Sequence, residues 1–212
     1  MPDRPTDRAR TLAASRRGVD KWAPTYEEDR RSRRNAEMQG AAFEALELRP
    51  EDRFLDVGCG TGAAVRQAAA IASSAVGVDL SPAMLERAER LAEGIDGVEF
   101  RLAESSELPF EDGEFTAVLC TSAFHHYPDP EAAVREMGRV LTSGGRIVIG
   151  DGSADLAVAR FADWFLRRYD ESHVRLYRST ELASLLYGAG FERVAARKLW
   201  SGGYAILRAR KP

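Results

Sequence analysis

Two textures of hydrophobic spacing alternate along most of this 212-residue chain. Short apolar runs rich in β-branched residues, flanked by Gly, Pro or Asp, occupy residues 54–57, 75–80, 98–102, 115–121 and 146–150. Runs of this kind predict buried strands, because a half-exposed strand would alternate apolar and polar side chains. Between them the apolar positions fall three and four residues apart. Met84, Leu85, Ala88, Leu91 and Ala92 form one stripe, with Glu86, Arg87, Glu89 and Arg90 on the other face, which predicts a helix opened by Ser81 as N-cap and Pro82. Ala133, Val134, Met137, Val140 and Leu141 form a second, opened by Asp129-Pro130 and closed by Ser143-Gly144-Gly145. Ala157, Val158, Phe161, Trp164 and Phe165 form a third, and a fourth covers 180–187, ended by Gly188-Ala189-Gly190. Helical spacing of Met38, Ala42, Ala45 and Leu46 predicts a further helix over 29–46. Residues 191–199 and 203–209 read as two final strands.

Strand–helix alternation with short loops predicts an α/β fold. It should be a doubly wound, mostly parallel, Rossmann-like sheet of seven strands, with helices on both faces and an antiparallel strand near the C-terminal edge. Residues 1–18 are polar, arginine-rich and aperiodic, and are expected to be disordered. The remainder, 19–212, should be a single domain.

Composition narrows the classes. With 44% hydrophobic and 30% charged residues the chain is neither collagen-like, coiled-coil nor wholly disordered. Cys59 and Cys120 have no second pair, so neither a disulfide framework nor a cysteine-rich zinc site is available, and no metal-ligand constellation is visible. Nothing approaches the apolar length of a membrane-spanning helix, and the arginine-rich start has no apolar core of a secretory signal. The expected location is therefore the cytoplasm. The net charge of −3 hides an acidic middle between basic ends: residues 1–34 carry ten basic and six acidic side chains, residues 157–212 eleven and five. That distribution argues against a continuous cationic groove for nucleic acid. A homodimer is compatible with the sequence.

The chemistry concentrates at Asp56-Val57-Gly58-Cys59-Gly60-Thr61-Gly62, where the first strand ends and the first helix opens. Clustered glycines let the backbone turn sharply and approach a ligand, and this is where open α/β sheets bind nucleotides. With Ala63 the run also reads as G-x-G-x-x-A, a dinucleotide spacing. Asp56 tips the balance. A carboxylate beside the loop repels a pyrophosphate, by about 1–4 kcal/mol for charges roughly 4 Å apart, and attracts a cation by as much. S-adenosylmethionine (SAM) has no phosphate and carries an ammonium and a sulfonium. Asp79, closing the second strand, is placed to accept the ribose hydroxyls of either ligand.

These residues also resemble motifs I and II of the class I SAM-dependent methyltransferases. Residues 107–115, Glu-Leu-Pro-Phe-Glu-Asp-Gly-Glu-Phe, are similar to a landmark of the type 11 group, which includes the ubiquinone/menaquinone-pathway C-methyltransferases; residues 124–130 and 139–146 match its later landmarks in order. The resemblance implies SAM as cofactor, S-adenosylhomocysteine as product and a small-molecule substrate. It further implies that Gly58, Cys59 and Gly60 bring backbone to the methionine portion, with Asp56 near the ammonium and Asp79 on the ribose. Leu80 and Met84 would flank the adenine, Glu104 (where the family usually has Asp) would meet its amino group, and Ser105 would offer a backbone N–H. Cys120 and Thr121 would close the floor. Trp22 and Tyr26 resemble the family's cofactor-covering flap, so that 19–46 would be a helical flap and 152–190 substrate-side helices. Thr116 stands where the family usually has Asp, with a structural consequence at most.

No catalytic residue is assigned. His125 and His126 are candidates, since a base assists transfer to a hydroxyl or acidic carbon and histidine titrates near neutral pH; equally, one or both hold the loop by packing, with His126 the better cofactor contact. Tyr169, His173, Arg175, Tyr177 and Arg178 either line a substrate pocket or form a solvated helix end. The rival functions are a non-catalytic SAM- or S-adenosylhomocysteine-binding protein and an NAD-type oxidoreductase.

Overall fold

The computed structural model describes residues 7–23, 26, 30–169 and 173–212. Two helices, α1 (Asp7–Trp22) and α2 (Arg30–Ala45), precede an alternating series: β1 (Arg53–Val57), α3 (Ala63–Ala69), β2 (Ser74–Asp79), α4 (Pro82–Leu91), β3 (Val98–Leu102) and β4 (Phe115–Thr121). Then come α5 (Pro130–Val140), β5 (Leu141–Gly152), α6 (Ala157–Tyr169), α7 (Ser179–Gly188), β6 (Glu192–Leu199) and β7 (Tyr204–Arg210). One seven-stranded sheet runs in the order β3-β2-β1-β4-β5-β7-β6. β1 to β5 pair in parallel, while β7 pairs antiparallel with both β5 and β6. The Rossmann-like α/β architecture is as the sequence predicts.

Strand alternation sorts the core into two layers. Leu55, Val57, Val118, Cys120, Ile147 and Ile149 face α5 and α7, where Val134, Met137, Leu182 and Leu186 meet them. Phe54, Ala117, Leu119 and Val148 face the other way, onto Met38, Ala42 and Leu46 from α2 and its end and Val65 and Ala68 from α3. Each large apolar side chain so buried contributes about 1.5–3 kcal/mol. At the amino ends of the strands Asp52 ties three of them together. It accepts Thr116 Oγ1 at 2.7 Å and the Arg49 amide at 2.7 Å, and pairs with Arg146 of β5. Burial raises its pKa, but these partners outweigh burial and hold it below the ordinary carboxylate value. Thr116 thus has a structural task.

Four expectations change. Residues 98–102, Val-Glu-Phe-Arg-Leu, do not form a buried strand: β3 lies at the sheet edge, none of its residues is buried, and Leu102 is exposed. Residues 1–18 are not wholly disordered: from Asp7 the chain is helical, and residues 1–6 lie outside the described ones. The thin stripe of Leu12, Val19 and Trp22 becomes a helix face because the site described below lies beneath it. Ser143-Gly144-Gly145 does not follow the end of α5 as a loop. β5 starts at Leu141, and the glycines form an irregularity where pairing shifts from Phe115–Leu141 to Ala117–Arg146. Finally, the apolar stripe of α6 points to solvent. Among the described residues no helix is long and apolar enough to cross a membrane.

Candidate functional site

β1 ends at Val57 and the chain turns at once through residues 58–62 into α3. Gly58, with φ +80°, requires glycine twice over, since a Cβ there would lie 2.5 Å from Ala123 Cβ and 3.0 Å from Tyr127 Oη. The direction of the loop amides is decisive. Gly58 and Cys59 donate to the Val78 carbonyl at 2.8 and 3.0 Å, Gly60 to Asp79 Oδ2 at 2.8 Å, and Gly62 to the Cys59 carbonyl at 2.9 Å. A phosphate-binding loop aims its N–H groups at the anion. This loop spends them on its own scaffold.

Two buried carboxylates flank it. Asp79 accepts the Ser81 amide on Oδ1 at 2.9 Å and Gly60 on Oδ2, leaving further lone pairs on both oxygens. Burial raises its pKa, the Ser81, Gly60 and Leu80 amides oppose that, and the charge of Asp20 adds to the rise. Asp56 is fully enclosed, and its Oδ1 has no hydrogen-bond partner among the described residues. Burial first, and the neighbouring Asp79 charge second, push its pKa up to about 8. The residues present fit a cationic ligand, which would relieve both carboxylates.

A cavity of about 580 Å³ opens at the carboxyl ends of β1, β2 and β4. Trp22, Tyr26, Gly58, Gly60, Asp79, Leu80, Met84, Glu104, Ser105, Thr121, His125 and His126 all line it. Asp56, Cys59 and Cys120 do not appear in the wall. Asp56 stands behind the loop. Cys59 turns its thiol against Gly77, where a Cβ would lie only 2.8 Å from Sγ, and Cys120 sits in β4 with Sγ 3.4 Å from Tyr127 Oη. Burial pushes both thiols up, so neither is a nucleophile at neutral pH.

α1 lies across the start of α4 and the segment after β3. Asp20 accepts Ser81 Oγ at 2.5 Å while the same Oγ caps α4 by accepting the Met84 amide at 3.1 Å. Arg8 pairs with Glu104 and bonds Ser106 Oγ at 2.6 Å, and Ser106 in turn donates to Glu104 Oε1 at 2.5 Å. The Trp22 and Tyr26 rings meet edge to face at 4.6 Å. Pro24 and Thr25, within the expected flap, lie outside the described residues.

The opposite wall is the helical turn Phe124–His126 after β4. Its first histidine is held by a residue that the sequence reading overlooks. Asp151, near the end of β5, places Oδ1 2.7 Å from His125 Nδ1 and accepts the His125 amide on Oδ2 at 2.9 Å. Burial would raise Asp151, but the His125 charge and hydrogen bonds and the Gly152 amide outweigh it and hold the carboxyl below its ordinary value. An ionised Asp151 can only accept, so the proton shared with His125 lies on Nδ1. The signal was available: Asp151 closes an apolar strand just as Asp79 does. The wall also includes Met38, Leu156, Val158 and Leu176, from segments expected at the site, and Tyr204, which the sequence did not single out. His173 and Tyr177 are buried rather than solvated or lining, with His173 Nε2 2.8 Å from Asp163 and Tyr177 packed on Phe124.

Comparisons with known proteins bear on this geometry. A family profile described as a methyltransferase domain matches residues 55–149. The uncharacterized methyltransferase YcgJ of Bacillus subtilis is 35% identical over 140 residues, which cover 64% of this chain and 55% of that protein. The demethylmenaquinone methyltransferase of Clavibacter sepedonicus is 34% identical over 181 residues, 76% of this chain and 74% of the relative. The chain spans about half the length of several curated relatives it matches, 55% and 46% in two of them. The crystal structure of B. subtilis YcgJ aligns with a TM-score of 0.72 over 83% of this chain and 98% of that one, at 23% identity, a likeness of fold.

Proposed function

The chain belongs to the class I SAM-dependent methyltransferases of the type 11 group, and from that premise we propose that it moves a methyl group from SAM to a small-molecule acceptor whose proton His125 removes. The observation that carries this reading is the meeting, in one cavity, of a loop with inward-turned amides and the Asp151–His125 pair. SAM, when bound, supplies a methyl group activated by a positively charged sulfur.

The remaining lone pairs of Asp79 would hold the ribose hydroxyls, and Leu80 and Met84 would flank the adenine, with Ser105 at its ring edge. Glu104 would be shared between Arg8 and the adenine amino group. Gly58, Cys59 and Gly60 would meet the methionine portion through backbone atoms, with the Asp56 charge behind them. Thr121, backed by Cys120, would form the floor, and His126 a side contact; Trp22 and Tyr26 would cover the ligand and exclude water. On the acceptor side, His125 Nε2 takes the proton of a hydroxyl or acidic carbon, and Asp151 stabilises the imidazolium so formed. The freed lone pair must lie in line with the methyl group, and rigid walls supply that alignment. Those walls include Met38, Leu156, Val158, Leu176 and Tyr204, so the acceptor presents an apolar body and one acidic group. Kinship with the demethylmenaquinone methyltransferase of C. sepedonicus supports a small-molecule acceptor.

Calorimetry with S-adenosylhomocysteine and NAD⁺ tests the reading. S-adenosylhomocysteine should bind the wild type, and Asp79→Ala should weaken it at least tenfold, since a hydrogen bond to a charged group contributes about 1.5–3 kcal/mol. Asp56→Asn should weaken it as well. Binding of NAD⁺ but not S-adenosylhomocysteine by the wild type, with Asp56→Asn tightening NAD⁺, would overturn the proposal.

A further inference from the structure

α6 is amphipathic in the reverse sense to a helix that packs on a sheet. Its inner side carries Asp163, a buried carboxylate that accepts the Leu176 amide at 2.7 Å and lies 2.8 Å from His173 Nε2. Its outer side carries Val158, Phe161, Trp164, Phe165 and Tyr169, each between 50% and 71% exposed. Phe161 stacks with Trp164 at 5.9 Å between ring centres, and Phe165 meets Tyr169 at 4.5 Å. Half of the large apolar side chains exposed among the described residues belong to this one helix. Isolated exposed apolar residues need no explanation, whereas a contiguous aromatic face marks a surface that something covers.

The charges select the occupant. At about 100° per residue, the five apolar side chains share one side of the helix, Arg160 and Arg167 border it, and Arg168 falls among them. Arg160 leans back to the carbonyls of Ala154 and Asp155, Arg167 stands 3.9 Å from Asp163, and the Arg168 guanidinium lies over the Tyr169 ring at 5.8 Å. A second copy docked face to face would set these cations against their own images. The only carboxylate of α6, Asp163, is buried and engaged and could not compensate. An anionic lipid surface matches both halves of the pattern, accepting aromatic rings at the acyl boundary and guanidinium groups among the phosphates.

We propose that α6 is an interfacial anchor that docks this protein on anionic membranes with its aromatic face inserted. Val158 belongs both to this face and to the cavity wall, so the docked surface adjoins the mouth of the site.

Co-sedimentation of the full chain with vesicles tests it. The wild type should pellet with phosphatidylcholine vesicles that contain phosphatidylglycerol, far less with phosphatidylcholine alone, and less again as salt is raised. Arg167→Gln with Arg168→Gln should weaken binding about 25-fold, each cation near an anionic surface contributing about fivefold. Phe161→Ser with Trp164→Ser should weaken it at least tenfold. All four positions are exposed, so both double variants should keep the wild-type circular dichroism and melting temperature. Failure of the folded wild type to pellet with anionic vesicles would overturn the proposal, as would unchanged pelleting of Phe161→Ser/Trp164→Ser. A wild-type dimer in sedimentation velocity that this variant converts to monomer would assign the face to a second copy instead.

Discussion

Asp151 grips His125 through both carboxylate oxygens, one 2.7 Å from the ring Nδ1 and the other accepting the backbone amide at 2.9 Å. The imidazole cannot rotate without breaking the first bond, and the turn cannot shift without breaking the second. Val174 and Arg175 add amide donors to the His125 carbonyl at 3.0 and 3.2 Å, which fixes the same residue from the segment between α6 and α7. If this pair removes the acceptor proton, His125→Asn should lower methyl transfer about 10²–10⁴-fold with S-adenosylhomocysteine affinity unchanged, since a positioned base contributes that much. His126→Asn should stay within tenfold. Single-turnover rates and calorimetry on the same samples check both statements, and equal losses in the two variants would contradict them.

Asp56 predicts an unusual pH dependence. Its carboxyl is raised from an ordinary 3.8 to about 8 in the folded protein, chiefly by burial and then by Asp79. Between those values the folded chain holds a proton that the unfolded chain has released, so stability declines as pH rises. The Asp56 contribution is complete below the lower value and is lost as pH passes the upper one. Thermal melts of the ligand-free wild type should therefore fall, relative to Asp56→Asn, through this window and level off above it. An ammonium brought up beside Asp56, as S-adenosylhomocysteine would bring it, reverses the preference and expels the proton. Calorimetry in buffers of different ionisation enthalpy should register proton release on S-adenosylhomocysteine binding in the wild type and not in Asp56→Asn.

Gly58→Ala should damage the loop where no surface change would. The added methyl meets Ala123 and Tyr127 at 2.5 and 3.0 Å, and the residue keeps φ near +80°. Overpacking costs about 1–3 kcal/mol and left-handed backbone about 1–3 kcal/mol more. The expected result is a clear fall in denaturation midpoint with loss of S-adenosylhomocysteine binding. Gly94→Ala, also at positive φ but facing open space, isolates the backbone part of that cost.

The proposed cover over the cofactor has its own test. α1 is fastened by Asp20 to Ser81 and by Arg8 to Glu104, and neither partner belongs to the sheet core. Removing residues 1–34 should leave a folded sheet that binds S-adenosylhomocysteine much more weakly, as read by circular dichroism and calorimetry. An unchanged dissociation constant would refute the cover.

The order of strands and helices, the glycine loop at the end of β1 and the acid at the end of β2 were legible along the chain, because each is a local statement. Buried strands write themselves as apolar runs, helices as three-and-four spacing, and ligand loops as glycines at a strand end. Asp79 was legible for the same reason. What the loop amides bind was not, because Val78 and Asp79 take them from the neighbouring strand. Nor was the Asp151–His125 pair, whose partners stand 26 residues apart and meet only where β4 and β5 lie side by side. α1 was misread and the orientation of α6 was missed through one physical ambiguity. Apolar spacing reports that a helix has a face, but what that face meets is decided by the packing of the whole sheet. The sparse stripe of α1 gains a cavity to cover, and the rich stripe of α6 is turned outward while its one buried carboxylate, Asp163, finds its hydrogen bonds inside.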